Sequence, residues 1–209
     1  MEAKTISIDA WTVHIEKLIG KGKSGYSYLA VDENRDRYVV KHIHHESCPS
    51  YTFDDKFQAE LNAYHTLKEL IRVPRLLAFD RDREILLKEY IDGTVASEVI
   101  ARDEVDVKLL QEIADMTKSL YPRKINLDFF PSNFVTNAAG TYYIDYEVNN
   151  YMDEWNFENW GIYFFANPGG MKRFLDTGEI DEMLISAESG KPVRVGLETK
   201  VQEWLAQLR

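Results

Sequence analysis

The amino-acid sequence predicts an α+β protein: antiparallel β-strands around a single helix in roughly the first ninety residues, and a mainly helical remainder. Three observations carry this expectation. From Val13 to Ile91 short alternating or apolar β-runs are broken by Gly-containing or charged turns. Only one segment of that region, 53–71, has helical spacing. Beyond residue 94 helical spacing takes over, as Leu109, Leu110, Ile113, Met116 and Leu120 recur within Val105–Leu120. With 209 residues, 44% of them hydrophobic, the chain is long enough to bury a proper core. It is expected to divide into a β-rich part, 1–93, and a helical part, 94–209.

Residues 13 to 31, VHIEKLIGKGKSGYSYLAV, place GKGKSG between two alternating stretches. A strand, a glycine-rich turn and a second strand follow, because Tyr26, Tyr28, Leu29 and Val31 continue as β-formers. A dinucleotide fold would open a helix after the glycines, and a Walker loop would end in Lys-Ser or Lys-Thr at the required place. Gly20, Gly22 and Gly25 are candidate cofactor-binding residues, since a backbone without Cβ atoms lets N–H groups approach phosphate.

RYVVKHI comes next as a strand interrupted by Lys41. A lysine in a buried strand needs an anion, because burying an unpaired charge is costly. The following helix offers one. It is expected to start at Thr52 as N-cap, with Asp54 and Asp55 in its first turn and an apolar stripe of Phe53, Phe57, Leu61, Tyr64, Leu67 and Ile71. Glu60 falls on or beside that stripe, not on the solvated face. A Lys41–Glu60 pair is therefore expected, of the kind that orients the α- and β-phosphates of a nucleotide.

VPRLLAFD, the turn Arg81-Asp82-Arg83, and EILLKEYIDG read as two more strands ending in a strap, Glu89 to Asp92, whose backbone would meet an adenine edge; Glu89 and Ile91 are the candidate contacts. Five strands and one helix are thus expected before the helical part begins. Farther on, NLDFFPSNFV and TYYIDYE flank a tight turn at Asn137 to Gly140, so that Asn133 and Asp145 stand at the outer ends of two short strands. An Asn amide oxygen and an Asp carboxylate suit Mg²⁺, which takes few protein ligands beside phosphate and water. Asp128, five residues before Asn133, is placed to accept the proton of an incoming hydroxyl.

In this order and spacing the residues from about Ile15 to Gly161 resemble the protein-kinase-like superfamily. GKGKSG stands where its glycine-rich loop lies, Lys41 and Glu60 where its ion pair lies, and LKEYIDG where its hinge strand lies. Asp128 and Asn133 fit D-x-x-x-x-N, and Asp145 fits the first residue of D-F-G. IDYE followed by NNYMDEWNFENWG is more similar to compact bacterial kinase-like proteins and to choline and aminoglycoside kinases than to signalling kinases. The resemblance implies a two-lobed fold, with Mg·ATP bound between the lobes and transfer of the γ-phosphoryl group to a hydroxyl of a protein or of a cationic small molecule. Asp128 would be catalytic, and Asn133 and Asp145 would hold the metal. The leading expectation is a serine/threonine-kinase-like phosphotransferase, with a small-molecule kinase and a nucleotide-binding pseudokinase as alternatives.

The pseudokinase alternative draws on departures from the pattern. Asn126 and Leu127 replace His-Arg or His-Gly, Phe130 replaces a γ-phosphate cation, and Tyr146 and Glu147 replace Phe-Gly. Ser27 stands for the Val that roofs the adenine, and Lys88 falls near the gatekeeper position. Glu158 is expected to brace the catalytic loop.

A net charge of −10 argues against nucleic acid and anionic membranes as partners. No run of 18 apolar residues is present, and the single cysteine, Cys48, fits a reducing cytoplasm. His42, His44, His45 and Cys48 match no standard zinc spacing and are read as a solvated strand end. Tyr151, Trp155, Phe157, Trp160, Tyr163, Phe164 and Phe165 are read as a packed helix in preference to a cage for a quaternary ammonium.

Overall fold

A computed structural model describes residues 5–46 and 55–208. In order the strands are β1 (Thr5–Ile8), β2 (Trp11–Lys21), β3 (Gly25–Val31), β4 (Arg37–Ile43), β5 (Leu76–Asp80) and β6 (Ile85–Glu89), with α1 (Lys56–Leu67) between β4 and β5. Alternation marks β1, whereas β6 buries Ile85, Leu86, Leu87 and Lys88 in succession. The strands form one antiparallel sheet in the order β1-β2-β3-β4-β6-β5. The fold is α+β.

One face of the sheet packs on itself. Ile6, Ile8, Val13, Ala30, Val40, Ala78, Ile85 and Leu87 form its core. The other face takes α1: Ile43 and Leu86 of the sheet meet Phe57 and Leu61 of the helix. Asp55 caps α1 by accepting from the Gln58 N–H at 2.8 Å. The expected cap, Thr52, lies outside the described residues, as do Phe53, Asp54 and Cys48. At its other end α1 stops at Leu67, short of Ile71.

β1 adds a sixth strand to the five expected. It runs beside β5 as well as pairing with β2, and the Arg83 guanidinium donates to Ser7 O at 2.6 Å. The sheet therefore curls until its first and last strands are near each other. Two irregularities in β2, between Ile15 and Lys17 and between Leu18 and Gly20, supply local twist.

By contact density the chain separates into two units, 1–68 with 73–91, and 69–72 with 92–209. The expected boundary at 93/94 is thus at 91/92, and Glu69–Arg72 belongs with the second unit. There Arg72 O accepts from the Tyr143 N–H at 3.0 Å, and the Arg72 guanidinium lies against Gly140.

The second unit contains β7 (Thr94–Val95), α2 (Ala96–Ala101), α3 (Val107–Leu120), β8 (Ile125–Asn126), β9 (Phe134–Asn137), β10 (Gly140–Tyr143), β11 (Asn149–Asn150), α4 (Ile162–Phe165), α5 (Pro168–Thr177) and α6 (Glu198–Gln207). β10, β9 and β7 form a small sheet, and β8 pairs with β11. Asp106 caps α3 by accepting from the Leu109 N–H at 2.8 Å. The helix buries Leu109, Leu110, Ile113, Met116 and Leu120, the residues whose spacing announced it.

The aromatic run does not form one helix. It breaks into a 3₁₀ turn at Asp153–Trp155, a π-turn at Phe157–Gly161 and then α4. Part of the run is core, with Phe157, Tyr163, Phe164 and Phe165 buried, whereas Tyr151, Trp155 and Trp160 are half-buried. Gly161 sits at the closest approach, where a Cβ would lie 2.5 Å from Phe129 Cβ and 2.9 Å from its Cγ. Gly161→Ala is accordingly expected to lower stability by about 1–3 kcal/mol through overpacking, read as a fall in the urea midpoint at unchanged m-value. No helix of the described residues is long and apolar enough to cross a membrane.

Candidate functional site

The first group of predicted residues lies on the α1 side of the large sheet. Register pairs Lys41 with Ser27 on one side and Leu86 on the other, so its side chain leaves the sheet toward α1. There its ammonium bonds Glu60 Oε1, and both side chains are only 6% exposed. Glu60 projects from the buried stripe of α1, as its spacing from Phe57 and Leu61 requires.

Two further atoms complete this group. Ser24 Oγ, at the tip of the glycine-rich turn, donates to the same Glu60 Oε1 at 2.7 Å, while Glu60 Oε2 is buried without a hydrogen-bond partner. The turn is thereby tied to the ion pair. It is also tied from below: Lys56 Nζ donates to Lys23 O at 3.1 Å and His44 O at 2.9 Å, and His44 N donates to Ser24 O at 3.0 Å.

The three glycines differ in what the fold asks of them. At Gly25 a Cβ would stand 2.7 Å from His42 O, so strand packing excludes one. At Gly20 and Gly22 the nearest atoms would be 3.9 and 3.8 Å away, so the fold has room for a side chain at both. The lack of a Cβ suits the close approach of a phosphate, but the Gly22 N–H itself is taken up inside the turn, donating to Gly25 O at 2.9 Å. Gly20 lies within β2, paired with Ser27, and the turn itself is Gly22 to Ser24.

The strap differs from expectation at Glu89. Its N–H donates to Arg75 O at 2.9 Å, and its carboxylate accepts from Arg75 N at 3.1 Å and Arg75 Nε at 3.2 Å. These groups hold β5 to β6, so Glu89 cannot offer its N–H to a base. Ile91, beyond the end of β6, lies outside the strand ladder.

The second group gathers Asp128, Asn133 and Asp145 around β9 and β10. Phe129 is fully buried, stacked on Phe134 with ring centres 6.4 Å apart. It anchors the loop and leaves Asp128 and Phe130 on the other side of the chain. Asp128 Oδ1 accepts from the Phe130 N–H at 3.1 Å, which fixes the carboxylate. Pro131 opens a 3₁₀ turn that delivers Asn133, whose Nδ2 donates to Asp128 O at 3.1 Å. Asn133 O accepts from the Ile144 N–H at 2.9 Å, which brings the chain before Asp145 alongside. Asp145 Oδ1 in turn accepts from the Tyr146 N–H at 2.9 Å.

Tyr143, which sequence reasoning missed, joins these residues. It is fully buried, and its hydroxyl donates to Glu147 O at 3.1 Å. Burial pushes its pKa well above the usual tyrosine value, and the carboxylates of Asp145, Asp128 and Glu147 add to the effect. One neutral phenol therefore sits among three acidic side chains. The β10 pattern held a signal, because Tyr143 and Thr141 alternate inward with Asp145 two residues farther along.

Asn133 passes a test of fit for magnesium. Its Nδ2 is held by the Asp128 carbonyl, so its Oδ1 is the atom left to act as ligand, with the Asp145 carboxylate as the second. No three His, Cys, Asp or Glu side chains converge on a metal position among the described residues. Magnesium does not need three, because phosphate and water complete its shell.

Glu158 does not brace the loop as expected. It accepts from the Tyr121 hydroxyl at 2.9 Å, and that hydroxyl accepts from the Phe157 N–H at 2.9 Å. Burial, seconded by the Glu158 charge, raises Tyr121 far above the ordinary phenol range. The loop is held instead by Asn126, whose Nδ2 donates to Trp155 O at 3.0 Å. Phe130 packs edge-to-face on Phe164 and Phe174. Of the histidines, His44 bonds Gly22 O at 3.0 Å and His45 bonds Glu84 at 2.6 Å.

No protein-family model and no curated protein matches this chain.

Proposed function

We propose that the protein is a phosphotransferase of the kinase-like kind, two-lobed, using a magnesium-bound purine nucleoside triphosphate such as ATP and passing the terminal phosphoryl group to a hydroxyl. The observation that carries the reading is the buried Lys41–Glu60 pair with Ser24 of the glycine-rich turn on the same carboxylate. A buried ion pair contributes little net stability compared with apolar residues of the same size, so its presence here supports a role other than folding.

In this reading Lys41, held by Glu60, orients the α- and β-phosphates, and the backbone at Gly20 and Gly22 lets them approach. Asn133 and Asp145 would hold magnesium, which when bound neutralises charge on the phosphate oxygens. Asp128, with one oxygen fixed by the Phe130 N–H, receives the proton of the attacking hydroxyl. The acceptor is a hydroxyl of a basic protein segment or, alternatively, of a cationic amino-alcohol, since the net charge of −10 favours a cationic acceptor.

The test is a thermal-shift titration with Mg·ATP. A ligand that binds only the native state stabilises it by about 2.7 kcal/mol at a hundred times its dissociation constant, which raises Tm by several degrees. No shift at millimolar nucleotide overturns the proposal. Incubation with [γ-³²P]ATP, separately with proteins and with a metabolite pool, then reads the acceptor. A second reading, nucleotide binding without transfer, is favoured by Phe130, an aromatic packing residue where a cation would assist transfer. It would show the thermal shift and no transfer of label.

A further inference from the structure

Late in the second unit, the segment 191–194 lays two cations on the aromatic run. Lys191 Nζ bonds Glu154 Oε1 at 3.2 Å and stands 5.6 Å from the centre of the Trp155 ring. Arg194, three positions on, repeats the arrangement: its guanidinium donates to Asn159 O and lies 4.7 Å from the centre of the Tyr163 ring. One surface thus offers two places for a cation, each made of an oxygen acceptor and a ring.

The backbone of this segment is fixed. The Val193 N–H donates to Leu184 O at 2.9 Å, the Ser186 N–H donates to Lys191 O at 2.8 Å, and Pro192 is buried. The two cationic side chains are held far less firmly. Glu154 is 53% exposed at its side chain and Lys191 33%. Ion pairs open to water contribute little, as do cation–π contacts at exposed sites, so either side chain can leave while the fold stays as it is. Another cation can then take its place.

The surface adjoins the loop that carries Asp128. Trp155 O accepts from Asn126 Nδ2, and a row of edge-to-face rings runs from Trp155 through Trp160 and Phe164 to Phe130, two residues beyond Asp128. The geometry points to a docking surface for a basic segment of an acceptor protein, with Lys and Arg three positions apart, which Lys191 and Arg194 occupy until that segment displaces them. A small amine fills one place only, whereas a peptide of this spacing fills both. The net charge of −10 favours such a visitor. The inference rests on the phosphotransferase reading and deepens it by naming the acceptor class and where it docks.

Isothermal titration with a peptide copying residues 190–196, GKPVRVG, tests it, beside GQPVQVG and ethanolamine. The wild type is expected to bind the first at least about tenfold tighter than the other two. Lys191→Gln/Arg194→Gln removes the internal competitor and is expected to tighten binding of GKPVRVG about tenfold, because apparent affinity falls with the fraction of molecules whose site is open. Glu154→Gln is expected to weaken it about threefold. Side chains that serve the fold alone would give no such opposite signs. A double variant that binds the peptide no tighter than the wild type overturns the inference. So does ethanolamine binding as tightly as GKPVRVG, or a wild type that does not bind the peptide. With an Mg·ATP thermal shift present, these outcomes leave the phosphotransferase reading standing. Absence of that shift overturns that reading and the acceptor role together.

Discussion

Lys41→Met is expected to destabilise the protein by about 3–5 kcal/mol, because it leaves the Glu60 carboxylate buried without its cation. Ser24 Oγ would be the remaining donor to Glu60 Oε1, and Oε2 already lacks a partner. The double variant Lys41→Met/Glu60→Leu is expected to recover most of the loss, since two apolar side chains of similar volume need no desolvation. Urea unfolding of the wild type and the variants supplies the measurement. A loss under about 1 kcal/mol in the single variant would mean that the pair is solvated and contributes as an exposed one does. The double variant also separates folding from function: a protein that folds yet shows no thermal shift with Mg·ATP is the signature of a pair kept for the nucleotide.

Asp128→Asn is expected to lower turnover by about 10²- to 10⁴-fold while the nucleotide-induced thermal shift stays near that of the wild type. The amide keeps the size of the side chain and still accepts from the Phe130 N–H, so the loop geometry survives. What is lost is the group that takes the proton. Asp145→Asn is expected to behave differently, weakening the magnesium-dependent shift and turnover together. Steady-state transfer assays run beside the thermal titrations distinguish the two. Small and equal effects of both substitutions would place the chemistry elsewhere.

The sequence made some of this legible for physical reasons. Lys41 stood out because a charge inside the β-run RYVVKHI demands an anion, and Glu60 because helical spacing turned it onto the stripe of Phe57 and Leu61. β2 and β3 were legible from alternation, and β4 to β6 as apolar runs between turns. β1 was not, since four residues give too short a pattern to stand out, nor was α2, a six-residue helix with no side-chain cap. Ser24 carried no periodic signal; its role arises from a contact 36 positions away in sequence. The place of Glu69–Arg72 goes with tertiary contacts, among them the Arg72–Tyr143 backbone bond and the Arg72 guanidinium against Gly140, which propensity does not register. The aromatic run was legible as core at Phe157, Tyr163, Phe164 and Phe165, but the π-turn at Phe157–Gly161 was not legible, because apolar spacing does not separate it from an α-helix.

The curl of the large sheet bears on how the chain behaves at high concentration. A six-stranded open sheet has two rims of unpaired N–H and C=O groups, each a template for a strand from another molecule. Here β1 is drawn to β5, and the Arg83 guanidinium occupies Ser7 O at 2.6 Å. A foreign strand seeking either rim meets the other rim, or a cation, in its way. The wrapping that encloses Ile6, Ile8, Ala78 and Ile85 in one core thus also works against edge-to-edge aggregation.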